Sequence, residues 1–538
     1  MDTAAGRASV SSERSGRKIT ATANMALAYQ WLDECLHEHG ELCSKSDSQA
    51  TSSSRPNRLR VIDVRERHLL DLPTGAEYIA LSYCWPKDPG LTNTLAQSSS
   101  LYKAGAITLE NDLSDAIDDA CNATCDLGQQ YLWVDALCII QDSPADKADQ
   151  IDQMDLVYNA ALMTIVIAPE NNETDQASLP GYRTASSSRR QIIHTVGHLS
   201  FAVPKPCLED ILAHTRWETR GWTYQESHLS RRSLYFTSHQ LYFQCSCGIR
   251  SEDTSGEGHP PSAFIHHSTT LWNPKNKHAA DPESDFGDLI LSHSGYENDA
   301  EELRAYNNFA TFYTQRSLSF ASDTLNAFRG IEKVLGASLK TEFYAGLPLK
   351  YLDCVLLWQS SDAAGRRQGF PSFAWAGWMG LHECPYWLGP EETGRLVRWW
   401  RVVRGTYLPC ETATTAYTAE GEEGGEEQTG VMQAQVDVLP SPPLERSWGL
   451  ATITQVARFD LWLDRPAEVS DADTYQSGQH HWMLDAQQRK AGLILIDNDW
   501  RQRSQTISHG KQQHDFILLS RASKARVQDE DEGELPNE

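Results

Sequence analysis

The sequence predicts an α/β fold in its N-terminal half, a parallel sheet with flanking helices, followed by a mixed α+β, strand-rich C-terminal region. Three observations predict it. Three near-continuous apolar runs, Tyr78–Trp85, Tyr131–Asp142 and Leu162–Ala168, read as strands buried on both faces. The two segments between them carry apolar residues at helical spacing. Strand, helix, strand, helix, strand in that order implies parallel pairing with right-handed crossovers.

The run Tyr131-Leu-Trp-Val-Asp-Ala-Leu-Cys-Ile-Ile-Gln-Asp142 reads as the central strand of this sheet. Its β-branched and aromatic residues favour extended structure. Asp135 inside it requires a hydrogen-bonding partner or a chemical role. Before it, Leu113–Leu127 predicts a helix capped by Asn111 or Asp112 and ended by Gly128. After it, Ser143-Pro144-Ala-Asp146 is a helix start with Ser as the cap and Pro at the first position. Ligands of open parallel sheets gather at the carboxyl ends of the strands. Here those ends are Ser82–Trp85, Gln141–Asp142 and Pro169–Asn172.

The flanks divide the chain further. Residues 1–57 predict a disordered N-terminus with one helix at about 24–39, marked by Met25, Leu27, Ala28, Trp31, Leu32 and Cys35. Residues 58–250 form the α/β domain, opening with short strands at 58–64 and 69–72. It closes with a dense segment, 215–227, and a hairpin over 233–245. Residues 251–300 are a polar loop or insertion, 301–418 a helical and aromatic-rich region, and 419–430 an acidic, Gly-rich flexible insertion with five acids and four glycines. Short strands dominate 431–520, and 521–538 is an acidic tail.

The formal net charge of −26 argues against a nucleic-acid backbone binder. The apolar runs are too short to span a bilayer, and the N-terminus lacks an apolar signal core, so a cytoplasmic protein is expected. Twelve cysteines are scattered, with close pairs at Cys121/Cys125 and Cys245/Cys247 and no CxxC. Cys35, His37, His39 and Cys43 lie close together, but no matching ligand cluster follows, so no metal is expected there. No Walker, GxSxG, HExxH or GxGxxG motif appears, which removes support for conventional ATPases, lipase-type hydrolases, zinc proteases and Rossmann dehydrogenases.

The assembled blocks resemble the fungal heterokaryon-incompatibility (HET) domain family. Tyr78-Ile-Ala-Leu-Ser-Tyr-Cys-Trp85, the Leu113–Ala120 helix, Tyr131–Asp142, Gln150–Met154 with Tyr158 and Ala161, and Arg220-Gly-Trp-Thr-Tyr-Gln-Glu226 followed by Leu229, Ser230 and Arg232 carry the resemblance in order. One departure is Pro86, where the family usually has Gly. The resemblance implies non-self recognition with programmed cell death, exerted through other proteins or self-association. It also implies a fold similar to TIR domains, some of which cleave NAD with a glutamate four residues after a tryptophan. Trp222 and Glu226 have that offset, with Thr223 in place of the TIR cysteine.

Two functions follow as expectations: a signalling module without a cofactor, or an NAD-cleaving hydrolase with NAD as substrate. In the second, Glu226 is the candidate catalytic acid that steadies an oxocarbenium-like ribose. Ser82, Trp85, Asp142, Arg220 and Trp222 are the candidate ligand-binding residues, and either tryptophan could stack on a ring. The plainer expectations are that Glu226 pairs with Arg220 or Arg232, that Asp135 bonds Ser82 or Arg220, and that Asp142 makes an Asx turn.

Overall fold

The computed structural model describes residues 16–39, 43, 56, 58–170, 178–183, 189–255, 299–360, 365–380 and 382–383, and beyond these a set of strand segments. The chain divides into two compact units. Of the insertion expected at 251–300, residues 256–298 lie outside the described residues, as do the insertion expected at 419–430 and, from 523 on, the acidic tail expected at 521–538.

The first unit is built on an eight-stranded sheet in the order β10-β9-β8-β5-β3-β4-β1-β2. Its strands are β1 (Arg60–Asp63), β2 (His68–Asp71), β3 (Ile79–Ser82), β4 (Tyr131–Trp133) and β5 (Met163–Ala168). A peripheral two-stranded hairpin follows as β6 (Ile193–Val196) and β7 (Leu199–Ala202). The sheet then continues with β8 (Arg232–Thr237), β9 (Leu241–Cys245) and β10 (Gly248–Ser251). The centre is parallel: β3 pairs with β4 and β5, and β5 with β8. Both edges are antiparallel, because the β1–β2 and β8–β9–β10 connections are too short for a crossover. The sheet is therefore mixed: parallel across the strands of 78–168, as the alternation predicts, and antiparallel at the expected 233–245 hairpin and at the β1–β2 edge.

The helices of this unit are α1 (Met25–His37), α2 (Ser98–Leu101), α3 (Asp115–Asp126), α4 (Asp135–Cys138), α5 (Pro144–Asp152), α6 (Met154–Ala160), α7 (Leu208–Leu212) and α8 (Gly221–Leu229). Side chains alternate along each strand, and paired residues share a face. Phe243, in register with Leu234 and through it with Ile165, meets Trp31 of α1 at 6.4 Å. On the opposite face Trp133, in register with Ala80, meets Tyr158 of α6 edge-on at 5.6 Å. Helices thus cover both faces, which is why all four residues of β3 and all six of β5 are buried.

The expected Tyr131–Asp142 strand is corrected in two respects. It ends at Trp133, and β3 rather than β4 lies between its two parallel neighbours. Val134 remains extended, and Asp135 opens the one-turn helix α4. Asn93 holds that turn through its backbone N–H to Ala136 O (2.9 Å) and its side-chain amide to Leu137 O (2.9 Å). The buried residues 136–139 are apolar because this turn is packed inside the domain, a state that composition cannot distinguish from a strand.

Local signals elsewhere match the chain. Ser143 accepts from Asp146 N at 3.3 Å and Pro144 opens α5. Asp146 in turn takes both oxygens to Arg60 Nη2 of β1 and accepts from Ile140 N at 2.7 Å. Gly128 ends α3 with φ +73°, a conformation costly for other residues. The N-cap of α3 is Ser114, without a side-chain bond, and not the expected Asn111 or Asp112.

In the second unit α9 (Asp299–Thr314) leads. It is followed by α10 (Arg329–Leu339), whose first residues belong to the first unit, and α11 (Leu352–Val355). Buried Trp375 donates to Tyr306 Oη at 3.0 Å. Its later strands are antiparallel. Val456–Pro466 pairs with Gly478–Leu484 and with Lys511–Ile517, and Gly478–Leu484 pairs with Lys490–Asp497. No helix among the described residues is long and apolar enough to cross a membrane.

The segment at 16–24 is fastened to the first unit by one buried ion pair. Arg189 and Glu252 are almost fully buried and paired. Arg189 also donates to Thr20 O and Thr22 O, while Glu252 accepts from Asn24 N and Leu241 N. Removing one member of such a pair strands a charge. Arg189→Ala is expected to lower stability by about 3–5 kcal/mol, read by urea denaturation. A loss below about 1 kcal/mol would contradict the assignment of this pair as the clamp.

Candidate functional site

The carboxyl ends of β3 and β4 converge with the start of α8. β3 ends at Ser82, and its register with Val166 points the hydroxyl to the face that α6 and α8 cover. Ser82 Oγ donates to Glu226 Oε2 and accepts from Trp217 Nε1 at 2.8 Å. Glu226 is 7% exposed. Tyr158 donates to Leu81 O at 3.2 Å and its hydroxyl also engages Glu226. Just past β4, Asp135 accepts from Trp85 Nε1 and Ala136 N, both at 2.7 Å.

The position of Glu226 depends on a close approach that Gly221 permits. Gly221 N donates to Ser317 O at 2.8 Å, and Ser317 N returns a bond to Thr219 O at 2.7 Å. A Cβ at position 221 would stand 2.5 Å from Leu318 Cδ2, so a side chain there would force the Leu318 side chain to move. Arg316 braces the same corner. It pairs with Glu218, donates to Arg220 O at 3.3 Å and lies over the Tyr224 ring at 4.6 Å. Ser230 then bonds both Glu226 O (2.6 Å) and Thr164 Oγ1 (2.6 Å), fixing the end of α8 to β5.

Burial dominates the electrostatics. It pushes Glu226 up to about 7, the charge of Asp135 adds to this, and the Ser82 and Tyr158 hydroxyls and the Arg220 guanidinium oppose it. Burial likewise raises Asp135 to about 6, against the donors Trp85 and Ala136 N and the charge of Arg220. The two carboxyls and Arg220 therefore form one electrostatic group near neutrality, the setting in which a carboxyl can carry a proton.

Of the candidates from the sequence, Glu226 and Ser82 are in direct contact, Trp85 joins through Asp135, and Arg220 acts on both carboxyls through its charge. Trp222 is half-buried on α8. Asp142 is exposed and accepts from Leu95 N at 2.7 Å, so it holds the loop after β3 and stands apart from the hydrogen bonds of the group. Several expected pairings differ. No arginine among the described residues lies within ion-pair distance of Glu226, and Arg232 is committed to Cys35, Leu162 O and Cys43 O. Asp135 bonds Trp85 instead of Ser82 or Arg220, because α4 turns its side chain toward the loop after β3. Trp217 and Tyr158 were missed as site residues. Each sits where an apolar side chain would also serve, and only the polar atom reveals the role.

The raised value at Glu226 has a definite consequence for stability. Below its ordinary value of 4.5 both folded and unfolded chains hold the proton, and the native state has its full stability. As pH rises toward about 7 the unfolded chain releases the proton first, and stability is lost. Glu226→Gln removes this dependence. The variant is expected to match wild type near pH 4.5 and to exceed it by on the order of 3 kcal/mol at pH 8, measured by urea denaturation across pH. Parallel pH profiles for the two proteins would overturn the assignment.

Residues 78–226 match the model of the Heterokaryon incompatibility protein (HET) family. No curated protein and no solved structure matches the chain. The matched span begins at Tyr78, beside β3, and ends at Glu226 itself. The chain carries a HET domain over these residues.

Proposed function

We propose that this chain acts in fungal non-self recognition, promoting programmed cell death as a cytoplasmic signalling or interaction module that engages other proteins or copies of itself. The observation that carries this reading is the HET domain at the sheet's parallel centre, with its charged group sealed and satisfied. Glu226 is buried and held by Ser82 and Tyr158, and Asp135 by Trp85 and Ala136 N. Such a network makes a rigid, unique core from which loops and edges can present a binding surface.

A second reading has its own observation. Two carboxyls near neutrality, with an arginine beside them, stand at the carboxyl ends of parallel strands, where ligands of such sheets bind. A TIR-like NAD hydrolase would use Glu226 against the developing ribose cation once α8 or the loop after β3 opened. The sealed state of the carboxylate favours the module reading.

Inducible expression of the full chain in a fungal host separates the two, with viability and total NAD followed together. The module reading predicts death with NAD unchanged, and equal death from Glu226→Gln. A fall of NAD that precedes death, abolished by Glu226→Gln, would overturn it in favour of the hydrolase.

A further inference from the structure

A second cluster lies away from the carboxyl group, where the end of α1 meets the turn between β9 and β10. Cys35 belongs to α1, His39 follows the helix, and Cys43 lies four residues on. Cys245 ends β9, and Cys247 stands in the turn before β10. One ligand atom from each of Cys35, His39, Cys43 and Cys245 lies within 4.8 Å of the others. The expectation of no metal here rested on the absence of a second ligand cluster in the nearby sequence. The fold brings Cys245 to His39 from 206 positions away.

The spacing fits a tetrahedral ion. Zinc bonds to sulfur at about 2.3 Å and to imidazole nitrogen at about 2.0–2.1 Å, so tetrahedral ligands stand about 3.8 Å apart for S···S and about 3.5 Å for S···N. His39 Nδ1 lies 3.5 Å from Cys245 Sγ and 3.7 Å from Cys43 Sγ. Cys43 Sγ lies 3.7 Å from Cys247 Sγ, too far for the roughly 2.05 Å of a disulfide. All four cysteines are free thiols in this structure.

Charge is the independent observation. Arg232 is 4% exposed and cannot lose its proton. Among the described residues it has no carboxylate partner, and its donors go to Cys35 Sγ at 3.0 Å, Cys43 O at 2.6 Å and Leu162 O at 3.2 Å. A buried cation without an anion is costly. Three thiolates, one neutral imidazole and a divalent ion carry a net charge of −1, which Arg232 would balance while its N–H orients the Cys35 sulfur.

We propose that Cys35, His39, Cys43 and Cys245 bind one zinc ion in a closed, four-ligand structural site, with Arg232 as its charge partner and Cys247 outside the coordination shell. Four protein ligands leave no open position, so the ion staples the α1 end to the β9–β10 edge and performs no chemistry. Each thiol loses its proton to solvent as its sulfur bonds the metal, and no oxidant is involved.

Metal analysis of the full chain, purified without a polyhistidine tag from zinc-supplemented cells, tests this. Wild type and Cys247→Ser are expected to hold about one zinc per chain, and Cys43→Ser and Cys245→Ser less than about a fifth of that. Because those variants could fail to fold, cobalt exchange into wild type gives a second readout. The spectrum of tetrahedral cobalt with sulfur charge-transfer bands sized for three thiolates is expected. Wild type without zinc, oxidised Cys43–Cys247, octahedral cobalt, or zinc retained by Cys245→Ser would each overturn the site.

Discussion

The hydrogen bond from Ser82 to Glu226 is the constraint on which the first unit depends. β3 is buried on both faces between β4 and β5, and Ser82 is the polar group at its carboxyl end. Burying that hydroxyl requires partners, and Trp217 and Glu226 supply them from one continuous segment. Fixing Glu226 fixes α8, and fixing α8 carries Ser230 to Thr164 of β5. Gly221 and Arg316 serve the same end by letting the 316–318 segment lie against the start of the helix.

This arrangement places competing demands on one carboxyl. Ionised, it is costly to bury; protonated, it is an ordinary hydrogen-bonding group. The balance among burial, Asp135, Arg220 and the two hydroxyls holds Glu226 near the point where it exchanges a proton. A network of this kind specifies one packing of the core when all its members are satisfied. Such a core suits a protein that presents a surface, and it would have to open before it could act on a nucleotide.

Much of the fold was legible in the sequence because local physics decided it. The Ser143-Pro144-Asp146 start and the Gly128 stop are local backbone events, and both occur where the residues place them. The parallel centre followed from the strand–helix alternation. What was not legible depended on distant partners. The apolar residues 136–139 suit a strand or a buried turn equally, and the bonds from Asn93 decide between them. Arg232 looked like a partner for Glu226 until the fold turned it to Cys35 and Cys43. Cys245 could not be matched to His39 by spacing, since the intervening chain builds nearly the whole sheet. Glu226 was singled out by family resemblance and Ser82 by its place at the carboxyl end of a strand, and their direct bond is a product of topology.

The account rests on Glu226 being a buried, hydroxyl-bound carboxyl. The most direct measurement is the carboxyl carbon resonance of Glu226 in protein labelled with carbon-13 glutamate, assigned by its loss in Glu226→Gln and followed across pH with and without NAD. The account predicts a midpoint near 7, unchanged by NAD. A midpoint near the ordinary 4.5, or a resonance that moves when NAD is added, would contradict it.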